Sequence, residues 1–200
     1  MRMIFWNPPA QNKLLATGQL TAYEAGADDG ALGKGTPKVY TVLTAGQFTG
    51  NTNITINSKT DVHANACVLD NKTGLMWSRT YSGTVGPTND GNLPWTTTGA
   101  GATAEGIFPY VAAANVAALA GYTDWRIPNM FEIMSLADGE AVAGYPDATA
   151  FPTLNASVFY WTSTTRTNLT TSAYHFRFTD VALSNAVKTT TYYALLVRGG

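Results

Sequence analysis

The chain has 200 residues, of which 45% are hydrophobic and 12% are charged, and its formal net charge is −1. This length suffices for one sizeable domain, and the hydrophobic share argues against wholesale disorder. The near-neutral charge without a basic run predicts neither a nucleic acid nor an anionic membrane as partner. The single cysteine, Cys67, excludes an internal disulfide framework.

Two features bear on where the protein acts. No apolar stretch reaches the length of a membrane span, which predicts no membrane insertion. The start, Met1–Pro9, breaks at a double proline and lacks the long apolar core of a signal peptide. A polar surface built from Thr, Ser, Asn and Gly is typical of extracellular, adhesin-like and phage-fibre proteins. We therefore expect a virion (tail fibre) or a cell-surface or extracellular location, the latter as a piece of a longer exported protein.

The first third of the chain predicts loops and short strands. Residues 1–60 contain turn signals at 28–30 and 33–35 and two β-branched runs, Val39–Leu43 and Asn53–Asn57. We interpret this segment as an N-terminal elaboration of a single domain that spans residues 1–200.

A hairpin and a long loop follow. Cys67–Leu69 and Leu75–Trp77 predict two strands, and the Asp, Asn and Gly residues at 70–74 predict the tight turn between them. Residues 82–101 predict a long loop with Trp95 as its apolar anchor.

Two helices come next. The first is predicted from near Thr103 to Gly121, with Ile107, Val111 and Ala114 at helical spacing. The second begins after Pro128. There Asn129 is placed to cap the helix and Glu132 to complete a capping box, and Asp138-Gly139 ends it.

The last part of the chain returns to strands. They are predicted at Val158–Ser163, Ala173–Phe178, Ala186–Lys188 and Tyr192–Arg198. Short strands, two helices and a final antiparallel sheet predict an α+β fold, with the helices packed on short sheets and long loops between them.

Aromatic and basic residues recur at the ends of these elements. In Asp124-Trp-Arg-Ile-Pro-Asn129, the favoured role is structural: Trp125 fills the core and Arg126 ties a loop through its five donors. The same role is favoured for Arg198. The residues predicted to be buried framework are Trp77, Trp125, Arg126 and Trp161.

The sequence contains few patterns that are typical of a catalytic or metal-binding site. His63 and His175 lie far apart, and neither has the spacing of a helical metal site. Cys67 lies in an apolar strand, where a thiol behaves as a small hydrophobe. The loop acids Asp138, Glu140 and Asp147 are typical of solvated faces. We therefore predict no catalytic residue, no metal and no cofactor.

The segment from Thr162 to Thr191 is crowded with Thr, Ser and Asn and carries few charges. One interpretation is an ordinary soluble sheet surface, since Thr is a good strand residue. The other is a binding surface in which Tyr anchors are interleaved with short hydrogen-bonding groups, as in antibody loops. Composition alone favours neither.

Several phrases in a fixed order match a known family. They are Thr17-Gly-Gln19 with Tyr23, Asp70-Asn-Lys-Thr-Gly-Leu-Met-Trp77, Gly121-Tyr-Thr-Asp-Trp-Arg-Ile-Pro-Asn-Met-Phe-Glu132, Phe151-Pro152, Tyr160-Trp-Thr-Ser-Thr164 and Val197-Arg198. In this order the chain resembles the C-terminal domain family named after the Legionella collagen-like protein.

That resemblance implies a C-type-lectin-like fold, related in design to the formylglycine-generating enzymes. It also implies a place at the end of a bacterial surface protein or phage tail fibre. A subset of members resembles the variable proteins of diversity-generating retroelements, and residues 160–200 resemble their variable region. The formylglycine-generating enzymes need two cysteines and this chain has one. The Ile127-Pro-Asn129 phrase does not match the calcium-sugar motif of lectins.

These observations predict a protein that binds a protein or glycan ligand on a cell surface. An enzyme related to the formylglycine-generating proteins and a self-associating fibre cap are the alternatives, and a homo-oligomer, a trimer in a fibre tip, is compatible with this role. Tyr174, Arg177, Asn185 and Tyr192 are expected on one exposed face. The predicted ligand-binding residues are Tyr160, Arg166, Thr167, Asn168, Thr170, Tyr174, His175, Arg177, Thr179, Asp180, Ser184, Asn185, Thr190 and Tyr192.

Overall fold

The computed structural model describes residues 24, 37–43, 47, 50, 52–63, 67–83, 90–95, 105–138 and 146–199. Its strands are β1 (Tyr40–Leu43), β2 (Asn53–Ile56), β3 (Lys59–Val62), β4 (Cys67–Asp70), β5 (Met76–Ser78), β6 (Leu93–Pro94), β7 (Tyr160–Thr165), β8 (Ser172–Arg177), β9 (Ala182–Val187), β10 (Thr191–Tyr192) and β11 (Val197–Arg198). Its helices are α1 (Ile107–Val116) and α2 (Met130–Met134). The mixture of two described helices with short antiparallel strands confirms the α+β class.

The described strands form four antiparallel sheets. One has four strands in the order β1-β4-β5-β11, and another has three in the order β7-β8-β9. The pairs β2–β3 and β6–β10 complete the set. Because β11 pairs with β5, the last described strand lies beside a strand from the first half of the sequence.

The sheet β7-β8-β9 lies between two apolar clusters. Successive side chains of a strand point to opposite faces. Trp161 and Ala173 therefore enter one cluster, together with residues of α1 and the β2–β3 hairpin. Tyr160 and Phe176 enter the other, together with residues of α2. This sheet is the layer on which both cores of the protein are built.

The predicted β4–β5 hairpin is confirmed. At its turn, the carboxylate of Asp70 accepts hydrogen bonds from the backbone N–H of Lys72 at 2.8 Å and from the hydroxyl of Thr73 at 2.8 Å. Gly74 has a φ of +74°, a conformation that favours glycine. Local turn chemistry therefore fixes the register of the two strands.

The predicted start of α2 is confirmed and the predicted end of α1 is wrong. The side chain of Asn129 accepts from the N–H groups of Phe131 and Glu132, and the Glu132 carboxylate accepts from the N–H of Asn129 at 2.7 Å. The helix α1 ends at Val116, ahead of the predicted Gly121, because Ala118 takes a φ of +49°, outside the helical range.

Three of the four predicted framework residues are buried. Trp77, Trp125 and Trp161 are all 2% exposed or less. The expectation of a buried Arg126 is wrong, because its side chain is 41% exposed. Its guanidinium instead donates to the Glu132 carboxylate and to the carbonyl of Gly199 at the surface.

The C-terminal strands differ from their predicted bounds because pairing, rather than local sequence, sets them. Strand β9 begins at Ala182 since β8 offers partners along its whole length. The predicted strand Tyr192–Arg198 is instead two strands, β10 and β11, which the buried residues 194–196 separate. The predicted loop 82–101 contains one short strand, β6. The predicted turns at 28–30 and 33–35, the helix start at 103, Gly139 and Glu140 lie outside the described residues.

A buried polar contact links the β2–β3 hairpin to α1. Nε2 of His63 and the hydroxyl of Tyr110 lie 3.0 Å apart, and both side chains are fully buried. Burial lowers the pKa of His63 to about 4, although the nearby Asp61 carboxylate acts in the opposite direction. His63 is therefore neutral in the folded protein near pH 7.

We expect His63 to make the fold sensitive to acid. An unfolded histidine has a pKa of about 6.5, so its contribution to stability is complete above that value and is lost as the pH falls toward 4. Between pH 7.5 and 4.5, the urea unfolding free energy should fall by about 2.5 kcal/mol more in the wild type than in His63→Gln. The variant keeps a partner for Tyr110 but does not titrate. Equal losses in the two proteins would contradict this assignment.

Candidate functional site

Four aromatic rings converge on one side of the sheet β7-β8-β9. The ring centroids of Phe159 and His175 are 4.7 Å apart, those of His175 and Tyr192 are 4.7 Å apart, and those of Trp161 and Tyr192 are 4.9 Å apart. Trp161 and His175 are buried, whereas Phe159 and Tyr192 are half-buried at the rim. We call this side, which carries Trp161, His175, Arg177 and Ser184, the aromatic face.

Strand register brings these rings together. Trp161 lies directly opposite His175, and His175 lies directly opposite Ser184. The segment that carries Tyr192 runs along the outer edge of β7, where Trp161 donates its backbone N–H to the carbonyl of Tyr193 at 2.9 Å. Residues that are distant in sequence therefore form one continuous surface.

A cation lies at one end of the aromatic face. The guanidinium carbon of Arg177 is 4.6 Å from the centre of the Phe159 ring. The same guanidinium donates two hydrogen bonds to the Asp180 carboxylate, at 2.9 and 2.6 Å. These bonds lower the pKa of Asp180, so the pair is ionised at neutral pH. The two charges cancel, and this end of the surface is polar without net charge.

A second cation–aromatic contact follows the end of β9. The ammonium of Lys188 is 3.8 Å from the centre of the Trp95 ring, and Trp95 packs edge-on against Phe108 at 4.8 Å. The indole N–H of Trp95 donates to the carbonyl of Thr162. Trp95 and Tyr192 both pack against the apolar cluster that contains Trp161.

His175 supports the aromatic face from below. Its side chain is buried, and among the described residues its Nδ1 has no hydrogen-bond partner. Burial lowers the pKa of His175. The backbone of Asn185 raises it in part, and the positive charge of Arg177 lowers it further. A neutral imidazole at physiological pH acts here as one of the packed rings.

The expectation that Tyr174, Arg177, Asn185 and Tyr192 share one face is wrong. Tyr174 lies directly opposite Asn185, one position out of phase with the pair of His175 and Ser184. Alternation therefore places Tyr174 and Asn185 on the opposite side of the sheet, which packs against α2 and which we call the helical face. Arg177 and Tyr192 lie on the aromatic face.

Two of the predicted ligand-binding residues are too buried to form a surface. Tyr160 is 0% exposed, its hydroxyl donates to the carbonyl of Asn155 at 2.8 Å, and its ring packs against Phe178. His175 is 4% exposed. Tyr160 lies in the apolar cluster on the α2 side, and His175 packs against the rings of Phe159 and Tyr192, so neither side chain is exposed for contact.

The remaining predicted residues lie at the surface in separate places. Thr167, Asn168, Thr170, Thr179, Asp180 and Ser184 are exposed, and Arg166, Tyr174, Arg177, Asn185, Thr190 and Tyr192 are half-buried. The side chain of Arg166 donates to those of Asn168 and Asn185, which connects the β7–β8 turn to the helical face. The hydroxyl of Thr179 donates to the carbonyl of Ala156.

Sequence reasoning missed three contributors to the aromatic face. Phe159, Trp95 and Lys188 supply a rim ring and the second cation–aromatic contact. Trp95 had a signal, as a large apolar residue in a Gly- and Thr-rich loop. Lys188 had none, because its contact with Trp95 spans more than ninety positions and depends on tertiary packing.

Three further observations bear on chemistry. Burial raises the pKa of the Cys67 thiol to about 11, so the thiol is protonated near neutral pH. Across the described ranges, no three His, Cys, Asp or Glu side chains are grouped so that they could hold a metal ion. No helix in the described part of the chain is both long and apolar enough to cross a bilayer.

The chain matches a known protein family. The model of the family described as the Lcl C-terminal domain matches residues 66–198, about two thirds of the chain. The match begins next to β4 and ends at the last residue of β11. None of the curated proteins matches the chain.

We expect substitutions of the buried and of the exposed predicted ligand-binding residues to differ sharply in their effect on stability. Tyr160→Ala should reduce the urea unfolding free energy by about 3–5 kcal/mol, because it leaves a cavity in a packed core. Ser184→Ala and Thr167→Ala should change it by no more than about 0.5 kcal/mol, because both side chains are exposed. Similar losses at all three positions would show that the exposed residues also support the fold.

Proposed function

The chain belongs to the Lcl C-terminal domain family, and we propose that it is a ligand-binding domain whose contact surface is the aromatic face. Its mechanism is recognition rather than catalysis. The observation that carries this proposal is the four-ring cluster, in which two rings are buried and two form a half-exposed rim. Exposed Ser184 and the half-buried Arg177 adjoin that rim.

The surface has the physical properties of a binding site. Phe159 and Tyr192 offer apolar contact area that is already ordered, because buried rings hold them in place, so little conformational entropy is lost on binding. The hydroxyl of Ser184 and the guanidinium of Arg177 supply hydrogen bonds whose direction the sheet fixes. Since Asp180 neutralises Arg177, the proposed ligand is held by ring contacts and directed hydrogen bonds more than by net charge.

We propose a protein or glycan on a cell surface as the ligand, and a virion or cell-surface location for the protein. The low charge content and the Thr-rich surface support this setting. A C-type-lectin-like fold is part of the same proposal. Its support is the arrangement of two helices on short antiparallel sheets, with the C-terminal strand returning to β5.

We also propose that the C-terminal segment is a diversified region. Thr167, Asn168 and Ser184 are exposed and belong to neither apolar cluster, so side chains can change there without altering either core. The corresponding DNA should then have a near-copy that differs at adenines and lies close to a reverse transcriptase gene. A genome with no such copy would remove this part of the proposal and leave a binding domain of fixed specificity.

Binding can be tested with two substitutions on the aromatic face. Ser184→Trp fills the surface next to the ring cluster, and Arg177→Ala removes the cation over Phe159. Each should weaken binding at least tenfold, or about 1.4 kcal/mol, as measured with the labelled protein on a glycan array and on intact bacterial and mammalian cells.

A matched variant separates surface effects from general damage. Val116→Trp introduces the same side chain on α1, where Val116 is 89% exposed, and should leave binding unchanged. Far-ultraviolet circular dichroism should show that all three variants are folded. The proposal fails if the wild type binds none of these probes, or if Val116→Trp weakens binding as much as Ser184→Trp does.

A further inference from the structure

Among the residues that the structure describes, strand β9 is an unpaired edge of the sheet β7-β8-β9. On the other side of that sheet, β7 is covered, because Trp161 and Tyr193 share a hydrogen bond and Tyr160 bridges to Tyr193. The edge strand β11 of the four-stranded sheet is covered in the same way by Arg126, which exchanges two backbone hydrogen bonds with Val197. Among the described residues, none forms a strand along the outer side of β9.

The hydrogen-bond phase of β9 shows which backbone groups point outward. Lys188, which follows β9, donates its N–H to the carbonyl of Thr171 at 2.9 Å. In an antiparallel pair, alternate residues face the partner strand, so Ala182, Ser184 and Ala186 bond to β8. The intervening residues Leu183, Asn185 and Val187 then direct their N–H and C=O groups away from the sheet.

This edge lacks the features that usually prevent strand addition. Ala182–Val187 contains no charged residue and no proline, and its register with β8 runs without a bulge. Natural sheets commonly protect their edges with such features. Val187 is 53% exposed and Ser184 is also exposed, so another strand can approach.

We propose that β9 pairs with β9 of a second copy of this chain, antiparallel and about a twofold axis at Asn185. In this register, Asn185 lies opposite Asn185 of the second copy, and Leu183 lies opposite Val187. The outward N–H and C=O groups of these three residues then form a hydrogen-bonded ladder between the copies. The carbonyl of Val187 already accepts from the N–H of Thr190, but a carbonyl oxygen can accept a second hydrogen bond.

The side chains favour a second copy over an unrelated strand. On the helical face, apolar Leu183 and Val187 flank polar Asn185. The order apolar, polar, apolar is the same in both directions, so each residue of one strand meets a residue of the same kind in an antiparallel copy. On the aromatic face, the small residues Ala182, Ser184 and Ala186 leave room for close approach of two strands. The Arg166 side chain holds the Oδ1 atom of Asn185, which leaves the Nδ2 group free to donate across the axis.

The pairing has a consequence for binding that goes beyond the proposed function. Directly opposed residues of paired strands point to the same side of a sheet, so both aromatic faces lie on one side of a six-stranded sheet. Two identical surfaces held in one plane give avidity for a repetitive cell surface. The ladder between the copies uses backbone groups of β9 and none of the ring contacts, and Arg177→Ala tests ligand binding without changing β9, so the two proposals can fail separately.

Disulfide trapping tests the register directly. In Asn185→Cys, the two new thiols lie opposite each other across the axis, and oxidised glutathione should give a covalent dimer. In the matched variant Ser184→Cys, the new residue lies opposite Ala186 of the second copy, so its two thiols are diagonal neighbours and should crosslink at least about tenfold more slowly. Cys67 is buried, which keeps the background low. No dimer in either variant, or equal crosslinking in both, would overturn the proposal.

Sedimentation velocity tests the same interface without a crosslink. The wild type should change from monomer to dimer as its concentration rises. Val187→Lys places a charge opposite Leu183 and should raise the dimer dissociation constant at least about tenfold. Val116→Lys, at an exposed position on α1, should not change it. A wild type that is monomeric at all concentrations, or an oligomer unaffected by Val187→Lys, would refute pairing through β9.

Discussion

The structure depends on one constraint, namely that the sheet β7-β8-β9 is covered by an apolar cluster on each side. Adjacent residues of β7, Tyr160 and Trp161, point to opposite faces, and each enters a different cluster. A shift of register by one residue would exchange these two large rings between cores of different shape, so the register is strongly specified. This arrangement determines on which side of the sheet each residue of β8 and β9 lies, including the residues proposed to bind ligand.

Charged groups at the surface hold β11 and the residue after it to the segment that precedes α2. Arg198 donates to the Asp124 carboxylate at 2.6 and 3.1 Å and lies 3.8 Å above the Tyr122 ring, while Arg126 binds Glu132 and the carbonyl of Gly199. A guanidinium group is planar and can donate several hydrogen bonds at once. This explains why a protein with so few charges has arginines at these positions, where each one connects several groups. Tyr192 is held in the ring cluster by its pairing with Leu93 and by its contacts with Trp161 and His175.

Local sequence predicted those parts of the fold that depend on neighbours in the chain. The capping box of α2 needs only Asn129 and Glu132 three positions apart, and the β4–β5 turn needs only Asp70 and the residues that follow it. The face on which a residue lies depends on strand register, which no local pattern fixes. Tyr160 and Trp161 are adjacent aromatic residues, yet they enter different clusters, and Tyr174 is half-buried on the face where Tyr160 is fully buried. Composition therefore could not separate the exposed residues of the C-terminal segment from its core residues.

The same register determines which of the Thr, Ser and Asn side chains lie beside the aromatic rings. Thr, Ser and Asn side chains are short and interchangeable in their hydrogen bonding, so alone they define no fixed shape. On the aromatic face they border rings that are ordered from beneath by Trp161 and His175, and those rings provide the shape. Along β9 the absence of charge leaves the outward backbone groups accessible to another strand, and the side chains on either side of Asn185 favour a second copy of β9. The proposed ligand surface and the proposed pairing edge can therefore coexist on one small sheet, because side chains act perpendicular to the sheet and its backbone hydrogen bonds act within its plane.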